Sequence, residues 1–169
     1  MTIETFDGAL LWTWSGNGAV VSGTTGLYAA PFGVFAPDAT NYVTVPKTDG
    51  SGSYTATLGA NYNYFGIWWG SIDTYNTLSF YNGADSVASF TGSSIADPYP
   101  ANGDQTSFDT NFYVNFLDLP SFNSFTMTST NYAFEADNIA VGQVPEPATM
   151  LLLGLGLIGL AGARRKFKK

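Results

Sequence analysis

Thr77-Leu78-Ser79-Phe80-Tyr81, Asn82-Gly83 and Ser86-Val87-Ala88-Ser89-Phe90-Thr91 are two short runs separated by a dipeptide. In the first run Leu78 and Phe80 alternate with polar neighbours, which places them on one face of an extended chain. Asn-Gly tolerates the positive φ of a tight turn, so the dipeptide reads as a break between strands. The same period-2 signal returns in Phe112, Val114 and Phe116, and in Ile139 and Val141. Working outward, strands are expected at 4–7, 10–14, 19–22, 26–29, 32–35, 41–45, 53–58, 62–69, 111–117, 124–128, 132–135 and 138–142. Turn clusters such as Ser15-Gly16-Asn17-Gly18 and Asp49-Gly50-Ser51-Gly52 separate them. Residues 92–110, with Pro98, Pro100 and Asn102-Gly103-Asp104, read as the longest loop. Many short strands with no helix before residue 149 predict an all-β chain, a β-sandwich of jelly-roll type. No internal repeat suggests a propeller or solenoid.

Composition narrows the chemistry. The chain has 169 residues, 16% of them aromatic, and contains neither cysteine nor histidine. Disulfides, thiol chemistry, Cys-ligated zinc and a Ser-His-Asp triad are therefore excluded. Residues 1–143 hold twelve acidic residues and one lysine, Lys47, a formal charge of −11. A body of that charge has no electrostatic footprint for nucleic acid, and attracts divalent cations or basic partners instead.

The C-terminal stretch is of a different kind. Val144-Pro145-Glu146-Pro147-Ala148-Thr149 leads into an uncharged run at 150–163, rich in Leu, Gly and Ala, which ends at Arg164-Arg165-Lys166-Phe167-Lys168-Lys169. Apolar residues on every face, two preceding prolines and a closing basic cluster fit a single hydrophobic helix in lipid better than a core helix. At ~1.5 Å per residue, the 15 residues 149–163 span about 22 Å against a hydrocarbon core of roughly 30 Å, a marginal anchor. Arg164, Arg165 and Lys166 can snorkel and act as the membrane stop, and the positive-inside rule keeps 164–169 in the cytoplasm and puts 1–148 outside. The chain thus divides into a β-sandwich domain at 1–143 and a tail at 144–169. Its opening lacks a basic and apolar export leader, so an N-terminally truncated sequence is expected.

The order and spacing of this tail resemble the tripartite PEP-CTERM sorting signal of bacterial exosortase-dependent surface proteins. The resemblance implies that Val144, Pro145, Glu146 and Pro147 form the sorting motif, read by a membrane-embedded exosortase. It also implies export, a transient single-pass anchor, removal of the tail, and release or attachment at the cell surface, commonly among exopolysaccharide producers. In the body, residues 66–76 resemble the jelly-roll domains of PEP-CTERM surface proteins. Ala133-Phe134-Glu135-Ala136-Asp137-Asn138-Ile139-Ala140 is similar to the last strand of lectin-like and carbohydrate-binding sandwiches.

Two candidate sites follow in the body. With 62–69 read as one strand, Phe65, Ile67 and Trp69 face the core, while Tyr62, Tyr64 and Trp68 face away, where their rings can stack on sugars. The alternative is that both faces are covered. The acids give the second candidate. Aspartates beside Gly, Asn or Pro are ordinary turn formers, and no EF-hand spacing is present. Carbohydrate-binding sandwiches nonetheless carry a structural Ca²⁺ between first and last strands, which nominates Glu4, Asp7, Glu135 and Asp137 as ligands; Asp97 with Asp104 forms a further acidic loop. No two carboxylates fall in a local catalytic motif, so the body is read as a non-enzyme associated with extracellular polysaccharide. A self-associating matrix protein without a sugar site, and a carboxylate-based glycan-active enzyme, are the competing readings.

Overall fold

The computed structural model describes residues 1–33 and 35–144. The hydrophobic C-terminal helix expected at 150–163 lies outside the described residues. Among the described residues no helix is long and apolar enough to cross a membrane.

Among the described residues, eleven strands and one short helix follow in chain order: β1 Thr2–Glu4, β2 Thr13–Gly16, β3 Ala19–Ser22, β4 Asn41–Val45, β5 Gly52–Tyr62, β6 Tyr64–Gly70, β7 Asn76–Asn82, β8 Asp85–Thr91, α1 Gly92–Ala96, β9 Phe112–Phe116, β10 Phe122–Ser129 and β11 Phe134–Gly142. They form two antiparallel sheets. The first has the order β3-β4-β11-β6-β9, with β1 also paired to β11, and the second has the order β2-β5-β10-β7-β8. Alternation decides which side chains meet between them. Phe65, Ile67 and Trp69 from the first sheet and Ala56, Phe80, Phe125 and Met127 from the second are fully buried in one continuous core. The opening stretch becomes β7 and β8, paired from Asn82↔Asp85 to Thr77↔Thr91 around Gly83 at φ 61°.

Four expectations are corrected. Residues 62–69 are not one strand: the chain leaves the second sheet at Tyr62, turns at Asn63 and enters the first sheet at Tyr64. Residues 132–135 and 138–142 are not two strands but the single β11, whose register shifts between Asp137 and Ala140 around Asn138 at φ 49°. That bulge changes the parity, so Phe134 and Ala136 before it and Ile139 and Val141 after it all reach the core. Among the described residues, the segments at 26–29 and 32–35 join neither sheet, and a single bridge, Phe32↔Pro37, is all the pairing found there. Residues 23–33 and 35–40 instead lie over the outer face of the first sheet, close enough that a Cβ on Gly70 would sit 2.9 Å from Pro31. The expected long loop opens with α1, held by a capping box in which Thr91 and Ser94 exchange hydrogen bonds.

Candidate functional site

The cover formed by residues 23–33 and 35–40 makes the outer face of the first sheet unusual, because it takes carboxylates out of water. Glu135 and Asp137 point outward from β11, yet each is only 2% exposed. Glu135 Oε1 accepts the Ala29 N–H at 2.9 Å, and Oε2 accepts the Ser71 hydroxyl at 2.9 Å. Burial pushes the Glu135 carboxyl up to about 7 in spite of those two donors. Asp137 is also pushed up to about 7, first by burial and then by the facing carboxyl of Asp38 and the charge of Asp7. Its Oδ2 accepts the Asn138 side-chain N–H at 2.8 Å, while its Oδ1 is buried with no protein donor. Partial burial acts to raise Asp38 as well, but the hydroxyl and N–H of Thr40 outweigh it and hold that carboxyl below its ordinary value.

The four acids nominated as cation ligands are therefore not brought to one point. Glu4 is buried elsewhere and closes the first loop by accepting the N–H groups of Phe6 at 3.1 Å and Leu11 at 2.7 Å. Glu135 is tied to Ala29 and Ser71. Asp7, which accepts the Asn41 N–H at 3.0 Å, and Asp137 do share a neighbourhood, and its third member is Asp38. Asp38 was missed because it lies in the covering segment, whose path no periodicity reveals. Among the described residues no three Asp or Glu side chains converge as a metal cage, so a cation here would need backbone or water oxygens as well.

The aromatic group is also rearranged. Tyr62 turns inward with the second sheet and packs against the core, its ring 6.3 Å from Phe122. Tyr64 and Trp68 stay on the outer face of β6, joined by Tyr113 of β9, which pairs directly with Trp68. The Trp68 and Tyr113 rings lie 6.5 Å apart and both are half-buried, whereas Tyr64 is 8% exposed and donates to Asn115 Oδ1 at 2.7 Å. Gly66 makes this arrangement possible, because any Cβ there would collide with the hydroxyl ends of Tyr64 and Tyr113. Exposed Asn115 and Asn138 flank the rings, and the Tyr113 hydroxyl donates to the Asn138 carbonyl at 3.2 Å.

A cavity that the sequence did not announce opens at one end of the sandwich. Loops at 25–28, 71–75, 102–105 and 132–135 enclose about 160 Å³ with an almost wholly polar lining that includes Asp73, Tyr75 and Glu135. Burial raises the Asp73 carboxyl and, with Asp73 beside it, the Tyr75 hydroxyl. A shallower depression of about 430 Å³, lined by Thr57, Asn61 and Asn123 among others, holds no ionisable group.

The chain leaves the sandwich at a fixed point. Asn63, the residue at which the chain changes sheets, accepts the Val144 N–H at 2.7 Å and donates to its carbonyl at 2.9 Å, and Gln143 donates to the Asn61 carbonyl at 3.0 Å. The sandwich thus grips the chain up to the residue before Pro145. Residues 143–166 match the family model of the PEP-CTERM protein-sorting motif. The chain carries an exosortase sorting signal, which marks it as an exported surface protein. Pro145, Glu146, Pro147, Arg164, Arg165 and Lys166 fall within this PEP-CTERM match and outside the described residues. No curated protein matches the chain.

Proposed function

We propose that this chain is a non-catalytic component of the extracellular matrix whose sandwich, residues 1–143, associates with exopolysaccharide on the outer face of its first sheet. The observation that carries this reading is the half-exposed pair Trp68 and Tyr113, set in register on adjacent strands between the amides of Asn115 and Asn138. Aromatic faces stack on the C–H surfaces of sugars while amides reach their hydroxyls. Tyr64, on the same face, fixes Asn115 by donating to its Oδ1. The jelly-roll assignment belongs to the same proposal, as does a transient anchor at 150–163 that exosortase processing removes. The non-catalytic reading draws support from Glu135, both of whose oxygens are already engaged by Ala29 and Ser71.

A structural Ca²⁺ beside Asp137 and Asp38 completes the reading. The residues fit a hard cation because Asp137 keeps a buried carboxylate oxygen without a donor, Oδ1, and the Asp38 carboxyl neighbours the same side chain. With no cation, a proton held by Asp137 and shared with Asp38 satisfies the same contact.

The test is a matched pair of adjacent tryptophans. Trp69 is fully buried and stacked on Phe134 at 4.2 Å, so Trp69→Ala should cost about 3–5 kcal/mol in a denaturant titration. Trp68→Ala should remain folded and lose retention in affinity electrophoresis through the producing cell's own polysaccharide. A folded Trp68→Ala variant that migrates like the parent would refute the platform and leave self-association as the better account.

A further inference from the structure

The end cavity has a chemical bias of its own, separate from the platform on the sheet face. Its volume of about 160 Å³ gives room for one small unit. Its hydrogen-bond inventory is unbalanced. The Tyr75 hydroxyl donates to the Tyr132 carbonyl, so its single proton cannot also serve the Asp73 carboxylate beside it. The Tyr132 hydroxyl is likewise spent on the Thr48 carbonyl. Among the described residues no N–H donates to the Asp73 carboxylate, and no basic side chain lines the cavity. Gly103, at φ 67°, lets the long loop close against that carboxylate, since a Cβ there would sit 2.5 Å from Asp73 Oδ1.

We propose that this cavity binds a protonated primary amine carried on a hydroxylated frame, an amino-sugar unit whose nitrogen is not acylated. An acceptor-rich wall that offers the Asp73 carboxylate, with the buried Glu135 carboxyl already engaged behind it and no fixed cation, disfavours anions and calls for a ligand that donates. An ammonium supplies three donors and no acceptor, and it neutralises the wall. Tyr28 and Tyr75 add aromatic faces that attract a cation. Asn102 and Gln105, exposed at the rim, are placed to take the hydroxyls of the frame. A bare metal ion fits less well, because the second carboxyl of the wall, Glu135, has both oxygens engaged by Ala29 and Ser71.

Isothermal titration of the full chain with glucosamine, N-acetylglucosamine, glucose and putrescine tests the proposal. Glucosamine is expected to bind at least about tenfold more tightly than each of the other three. Asp73→Asn should weaken glucosamine by about tenfold or more. Because that residue is partly buried, a second variant guards against misfolding: Gln105→Lys, at the exposed rim, places a tethered ammonium in the cavity and should abolish binding without lowering Tm. Trp68→Ala should bind glucosamine like the parent, which separates this site from the polysaccharide platform. Equal affinity for glucosamine and either glucose or N-acetylglucosamine would overturn the ammonium assignment, and putrescine binding as tightly as glucosamine would overturn the sugar frame. Absence of saturable glucosamine binding, or undiminished binding by Gln105→Lys, would overturn the site.

Discussion

The two sheets bury similar inner faces but have opposite outer ones. Across the second sheet, Ser15, Thr55, Thr126, Ser79 and Ser89 stand in one register row, and Ser53, Thr128, Thr77 and Thr91 form the next. These uncharged hydroxyls stay in contact with water and pair with one another, Ser53 with Thr128 at 2.8 Å, Thr55 with Thr126 at 2.8 Å and Ser79 with Ser89 at 2.9 Å. Across the first sheet, the segment that carries Ala29 and Asp38 closes over Glu135 and Asp137. A hydroxyl left at the surface exchanges one hydrogen bond for another at little cost, whereas a carboxyl withdrawn from water makes ionisation part of the folding equilibrium. The first sheet should therefore respond to pH and cations, and the second to neither.

The largest expected effect is on the carboxylate face. Glu135 is raised from its ordinary value of 4.5 to about 7, so the folded chain binds its proton more tightly than the unfolded chain does. The stability from this group is then fully present below about 4.5 and is lost as pH rises through about 7. The loss amounts to about 3 kcal/mol, at 1.36 kcal/mol per pKa unit. Asp137, also raised, acts in the same direction. Chemical denaturation followed from acidic to neutral pH should show stability falling, and Glu135→Gln should flatten the part that Glu135 supplies. A parent profile that is level or rises across this window would break the contrast between the faces.

A smaller effect separates proton from cation at Asp137. If Ca²⁺ replaces the proton between Asp137 and Asp38, millimolar Ca²⁺ should offset part of the loss at neutral pH, by about 2.7 kcal/mol at a hundred times Kd. Little offset should remain at acidic pH, where the proton competes. Asp38→Asn should remove the Ca²⁺ response. Melting curves that coincide in Ca²⁺ and in chelator at neutral pH would leave the proton as the sole occupant.

The contrast between the faces also explains what the sequence disclosed. Leu78 and Phe80 alternate with Thr77 and Ser79 because one side of the second sheet meets water, so β7, β8 and β10 announced themselves with nearly correct limits, while β2 begins three residues later and β5 runs four residues further than expected. Strand β11 is buried on both sides, and its bulge at Asn138 reverses the parity midway, so 132–142 read as two strands. The sheet change at Asn63 was hidden by the aromatic run around it, and with it the inward turn of Tyr62. Segment 23–40 has no period because it pairs with almost nothing, which concealed Asp38 and the partners of Glu135. Glu135 and Asp137 themselves were legible as acids on a terminal strand. Trp68 and Tyr64 were legible as an outward pair, but Tyr113, some forty-five residues away in the sequence, joins them only through sheet pairing. The cavity around Asp73 draws on four separate loops, an assembly that no local pattern encodes.

The smallest effect belongs to the hydroxyl face. Thr55 and Thr126 lie directly opposite each other with hydroxyls 2.8 Å apart, and both are half-buried on an otherwise solvated surface. Cross-strand pairs of this kind contribute roughly 0.2–1 kcal/mol relative to Ala–Ala. A double-mutant cycle of Thr55→Ala and Thr126→Ala should return a coupling in that range. It should not change between acidic and neutral pH, because neither hydroxyl titrates there and no ionisable residue stands in that row. Repeating the cycle across the window in which Glu135 gives up its proton makes it an internal control for the opposite sheet. A coupling that varied with pH would mean that the two outer faces communicate through the core, and that the charge on Glu135 alters the packing of both sheets.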